Sequence, residues 1–225
     1  MLNRCFIALF LLLAASSSWG HDLSADNARF VQNLSGVAVG PFLYLGAKHM
    51  VTGVDHLLFL LGVIFFLRRA RDIALYVTLF TVGHSTTLIL GVMANWQVNA
   101  YLIDAIIGLS VAYKGFENIG GFRVLLGRQF DPRLAVLLFG LCHGLGLATK
   151  IQDYAQGGDA LLVNLLSFNV GVELGQLSAL AGMLLVLYYW RVRPHFEQQA
   201  FVVNALLILA GFMLFGFQLT GYVLS

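Results

Sequence analysis

Apolar residues run through this chain in long blocks broken by short polar stretches. After residue 50 the blocks fall near 51–67, 72–93, 98–118, 133–151, 160–190 and 200–224. Each is about long enough to cross a hydrocarbon core about 30 Å thick as a helix. The pattern predicts an all-α fold, a polytopic membrane helix bundle of six transmembrane helices (51–225). The 160–190 block is longer than a span needs and is expected to tilt or project beyond the bilayer. Residues 21–50 precede the bundle as an outer segment. From Gly36 to Met50 that segment is apolar again, with Gly40 and Pro41 near its start, as in a re-entrant or interfacial lead-in.

Residues 1–20 carry a different pattern. Arg4 precedes an apolar core from Phe6 to Ala15, and Ser18 and Gly20 put small residues at −3 and −1 of a cut before His21. This is the pattern of a cleaved signal peptide, too short in its apolar core for a span. Cleavage would make His21 the mature N-terminus, where an amine and an imidazole together can chelate a divalent metal.

The polar loops orient the spans. Arg68, Arg69, Arg71, Arg123, Arg128, Arg133, Arg191 and Arg193 fall on one side, whereas Arg29, Lys48 and Lys150 fall on the other. Basic residues favour the cytoplasm, which places both termini outside, in the periplasm of a cell whose inner membrane holds the protein. A signal peptide requires the same start. Pro132 and Pro194 both lie in the cytoplasmic loops.

Composition reinforces the membrane reading. Of 225 residues 59% are hydrophobic and 11% charged, against about 25% charged in soluble domains. The net charge of +2 and the lack of a basic run give no reason to expect a nucleic-acid partner. Cys5 lies in the leader and Cys142 inside a span, so no disulfide framework is implied. The partners expected are the lipid bilayer, a metal ion and a second copy of the chain in a homo-oligomer.

The few ionisable residues inside the apolar blocks then carry the interest. Such groups are costly in a bilayer and line cavities or functional sites. At about 1.5 Å per residue from the outer ends, Asp55 and His56 lie about 6–8 Å in, Asp104 about 9 Å and His143 about 12 Å. On the same count His84 and Asn169 lie about 14 Å in and Glu173 about 20 Å. A shared pocket opening outward would explain the common layer. Asn169, Glu173 and Gln176 fall at i, i+4, i+7 on one stripe, and Thr81, His84 and Ser85 share a face. His49 stands seven residues before His56, about 10 Å apart in a continuous helix and too far for one ion. Either Gly53 breaks the helix or His49 is an outer waystation. Glycines at 140, 144, 171 and 175 flank the polar residues and allow close helix packing. Lys114 and Glu117 are spaced for an intrahelical ion pair.

Imidazoles and carboxylates from several spans suit a divalent transition metal ion such as nickel, cobalt or zinc. The candidate ligands are His49, Asp55, His56, His84, His143 and Glu173, with His21, Asp104, Asn169, Gln176 and Ser85 as accessories. Transport of the ion is the favoured function. An intramembrane zinc-dependent hydrolase, with Ser85 beside the metal, and a non-transporting metal-delivery subunit are the alternatives. No Gly-Lys-Ser/Thr phosphate loop is present in the sequence.

Four blocks resemble the HupE/UreJ family, in its second branch. They are Gly46–Leu61 around His49, Gly53, Asp55 and His56; Phe80–Leu88 around His84; Phe139–Gly146 around His143; and Phe168–Gln176 around Asn169 and Glu173. The resemblance implies a six-span secondary permease for nickel or cobalt, associated with hydrogenase and urease maturation. It also implies a metal-handling role for His49, Asp55 and His56. Met50 stands where the better-known branch has proline.

Overall fold

The structure is a computed structural model that describes residues 36–152 and 160–225. The expected leader (1–20) and His21 lie outside the described residues. Eight helices follow in chain order among them: α1 (Val39–Thr52), α2 (Val54–Ile64), α3 (Ala70–Met93), α4 (Ala100–Asn118), α5 (Gly121–Leu126), α6 (Pro132–Gln152), α7 (Ala160–Arg191) and α8 (Phe196–Leu224). The all-helical, membrane-type fold expected from the apolar blocks is what is found.

Helices α3, α6, α7 and α8 are each long and apolar enough to cross a bilayer. The pair α1–α2, bent by 66° at Gly53, makes a fifth if it is one span. The remaining expected span, 98–118, is helix α4. It carries Asp104, Lys114 and Glu117 within its 19 residues and does not meet the same measure. The lead-in expected at 36–50 and the first span expected at 51–67 are divided differently. Helix starts at Val39, runs through residue 50 and breaks at Gly53.

Three helix pairs build the bundle, each through glycine. In α1 and α7, a β-carbon on Gly46 would collide with the Phe168 carbonyl, and one on Gly171 with the Leu43 carbonyl. Gly83, Gly140 and Gly144 join α3 to α6 in the same way, and Gly108, Gly115 and Gly211 join α4 to α8. Without water to squeeze out, helices in lipid gain mainly from such close contact. Outward, these helices present Val82, Leu138, Leu166, Leu177, Phe212 and Phe217, all exposed and apolar, as lipid contact requires.

The short helix α2 runs through the middle. Nine of its 11 residues are buried, and at about 16 Å it cannot span alone. Its C-terminal end is fixed by other helices. Arg191 of α7 donates to the Ile64 and Phe65 carbonyls at 2.6 and 2.7 Å, and Asn118 donates to the Gly62 carbonyl at 2.8 Å. At the other end of the bent pair, Asn164 of α7 accepts from Ala38 N at 2.8 Å. It thus satisfies a backbone donor just ahead of α1. Helix α7 therefore holds both ends of the α1–α2 unit, and the bend falls in the interior between them.

Candidate metal site

Gly53 decides the site. Its backbone is extended (φ −71°, ψ 100°), while its N–H still bonds the His49 carbonyl at 2.9 Å. Any residue adopts that φ, so glycine is required here for space. A β-carbon would stand 2.8 Å from His56 Nδ1 and 3.3 Å from Asp55 Oδ1. Of the two alternatives for His49, the break is what the structure shows. The bend folds the last turn of α1 over the first turn of α2, and the His49 and His56 ring centroids meet at 4.9 Å.

His84 arrives on α3 and His143 on α6, the pair of helices locked by Gly144 against the His84 carbonyl. Their ring centroids lie 6.0 and 4.7 Å from that of His56. One nitrogen from each of His49, His56 and His84 lies within 4.8 Å of the others. Such a group could hold a shared ion, with the rings drawing together to reach bonds of about 2 Å. Phe59, Phe80 and Phe168 wall the cluster with ring contacts of 5.1–6.4 Å. His84 is 1% exposed, and among the described residues neither of its nitrogens has a hydrogen-bond partner.

Asp55 orients His56. Its Oδ1 accepts from the His56 N–H at 2.9 Å and lies 3.0 Å from His56 Nδ1. An ionised carboxylate only accepts, so Nδ1 carries the proton and Nε2 keeps the lone pair. A carboxylate behind a ligating imidazole is the usual arrangement at metal sites. Asp55 also sits in the first turn of α2, where the helix dipole favours negative charge.

The other sequence-derived candidates separate. Asp104 does not join the cluster: its Oδ2 accepts from Lys150 of α6 at 2.7 Å. Glu173 is exposed on the flank of α7 rather than turned inward with Asn169 and Gln176, because the stripe is wider than the contact α7 makes. Asn169 donates to the Leu165 carbonyl of its own helix at 2.9 Å. Gln176 accepts from Thr81 of α3 at 2.8 Å, one turn from His84. Ser85 is half-buried beside His84. The Lys114–Glu117 ion pair forms as expected.

Two partners of these side chains carry little signal in the sequence. Lys150 reads there as an outer-side charge, although an acid at depth calls for a cation. Ser110, 0% exposed, sits 3.2 Å from His143 Nε2. Its only signal was a hydroxyl in the apolar centre of α4.

A polytopic bundle with a broken helix defines the class: a multi-pass membrane protein, here with a buried group of histidines that could hold a metal ion. The chain matches, over residues 25–225, the model of the family described as HupE / UreJ protein, and belongs to that family. No curated protein and no solved structure matches it.

Proposed function

We propose that this protein is a permease for a divalent transition-metal cation of the nickel or cobalt type, and that His49, His56 and His84 hold the ion in transit. The observation that carries the reading is the convergence of three imidazole nitrogens from three helices within 4.8 Å of one another. Membership of a family associated with nickel or cobalt transport or urease maturation supports it. So does the broken helix. Transporters commonly form ion sites where a helix is interrupted, with its half-helix ends facing the ion. Here the interruption brings the C-terminal end of α1 and the N-terminal end of α2 to the cluster.

In this reading Asp55 holds His56 with Nε2 toward the ion, and the aromatic wall keeps water away. Neutral imidazole donors bind firmly enough to strip water yet release the ion, unlike the thiolate-containing cage of a structural zinc site. Helix α4 is the sixth span, its charges offset internally by Lys150 and by the Lys114–Glu117 pair. The arginine-rich loops face the cytoplasm.

The test is the metal content of cells expressing the protein, read by mass spectrometry across nickel, cobalt, zinc, manganese, iron and copper. Wild type is compared with His56→Ala and Glu173→Ala at equal expression. One metal should rise with wild type and not with His56→Ala, whereas Glu173→Ala should retain ion affinity in the purified protein. No metal differing between wild type and His56→Ala would overturn the permease.

A further inference from the structure

His143 is the fourth histidine of the cluster but does not belong to its tightest three. It is fully buried, and its ring lies 4.7 Å from that of His56. Which of its nitrogens can bind an ion depends on which one carries the proton. The structure fixes that through Ser110.

Ser110 has a single hydroxyl proton. Its Oγ stands 2.6 Å from the Ile107 carbonyl, one turn back on α4. Two oxygens that close repel unless a proton lies between them, so the hydroxyl donates to Ile107. Toward His143 Nε2, 3.2 Å away, Ser110 can then only accept. Nε2 must carry the proton, and Nδ1 must carry the lone pair. Nδ1 is buried and has no hydrogen-bond partner among the described residues. An acceptor left bare in a membrane interior is costly, and a cation would satisfy it.

We propose that Ser110 is a positioning residue of the ion site. By accepting the Nε2 proton of His143, it turns Nδ1 into that ring's ligand atom and makes His143 the fourth nitrogen available to the cation. This rests on the ion-site reading of His49, His56 and His84 and adds the coordination it reaches: four imidazole nitrogens around a divalent cation that tolerates four-coordination. Asp55 behind His56 and Ser110 behind His143 then play the same part, each fixing a tautomer from outside the site. Removing such outer partners usually weakens metal affinity about 10–100-fold.

The experiment uses the full chain purified in detergent and titrated with cobalt(II), followed by visible absorption. Tetrahedral cobalt lacks an inversion centre and absorbs far more strongly than six-coordinate cobalt, so the band reports coordination geometry independently of fold. Wild type should give the intense band. Ser110→Ala should bind about tenfold or more weakly, with a shifted or weakened band as water or nothing replaces the fourth imidazole. Ser110→Thr, which restores a hydroxyl, should recover both. His143→Ala should resemble Ser110→Ala, and adding Ser110→Ala to it should cost nothing further.

A Ser110→Ala protein with wild-type affinity and band overturns the proposal. So does a Ser110→Thr protein that recovers neither, or a loss from Ser110→Ala that is equally large without His143. These outcomes are distinct from a wild type that binds no cobalt, nickel or zinc, which overturns the ion site itself and this inference with it.

Discussion

His49 and His56 stand edge to face with ring centroids 4.9 Å apart, although they belong to different helices that meet at 66°. In an unbroken helix they would be about 10 Å apart along the axis. The kink at Gly53 is therefore what turns two separate imidazoles into neighbours, and it gives the first prediction. Gly53→Ala places a methyl 2.8 Å from His56 Nδ1. It should lower metal accumulation at least tenfold while leaving membrane expression intact, because the clash is local and the backbone angle suits alanine. Whole-cell metal content against immunoblot signal checks this.

Asp55→Asn separates orientation from charge. An asparagine oxygen still accepts from His56 Nδ1, so the tautomer survives, but the ring loses the carboxylate that raises its basicity. Ion affinity of the purified protein should fall about 10–100-fold, less than for His56→Ala. Titration calorimetry distinguishes the two. Equal loss in both would mean that Asp55 itself contacts the ion.

The Asp104–Lys150 pair joins α4 to α6 at 2.7 Å. Asp104→Asn strands the ammonium of Lys150, and Lys150→Met strands the carboxylate. A charge-assisted hydrogen bond contributes about 1.5–3 kcal/mol, so each single variant should unfold at lower temperature in detergent. Because a neutral pair strands no charge, Asp104→Asn with Lys150→Met should melt above either single variant. Thermal melts followed by circular dichroism measure all three.

Packing between α3 and α6 holds His84 and His143 at their separation. Gly144→Ala drives a methyl into the His84 carbonyl and should cost about 1–3 kcal/mol together with ion affinity, as the helices separate. Gly182 of α7 has nothing within 4 Å of its would-be β-carbon. Gly182→Ala should leave melting temperature and ion affinity unchanged. A common effect of the two would point to helix propensity rather than contact.

Much of the helical framework was legible in the sequence because apolar length is a one-dimensional property. The runs at 72–93, 133–151 and 160–190 appear as α3, α6 and α7 within two residues at either end. Depth counting placed His56, His84 and His143 in one layer for the same reason, since rise per residue is fixed along a helix. Azimuth and neighbours are not fixed in that way. Asn169, Glu173 and Gln176 share a stripe, yet at 100° per residue Glu173 stands about 40° to one side of Asn169 and about 60° from Gln176. Only the width of the contact made by α7 decides that it remains exposed. Asp104 was placed at a similar depth, but Lys150, across the α4–α6 contact, claims it. By itself the sequence determined where most of the long apolar helices run and which ionisable groups lie within them. The tertiary structure alone decided which groups meet, because meeting depends on a single extended residue at Gly53 and on glycine contacts that set the rotation of each helix about its axis.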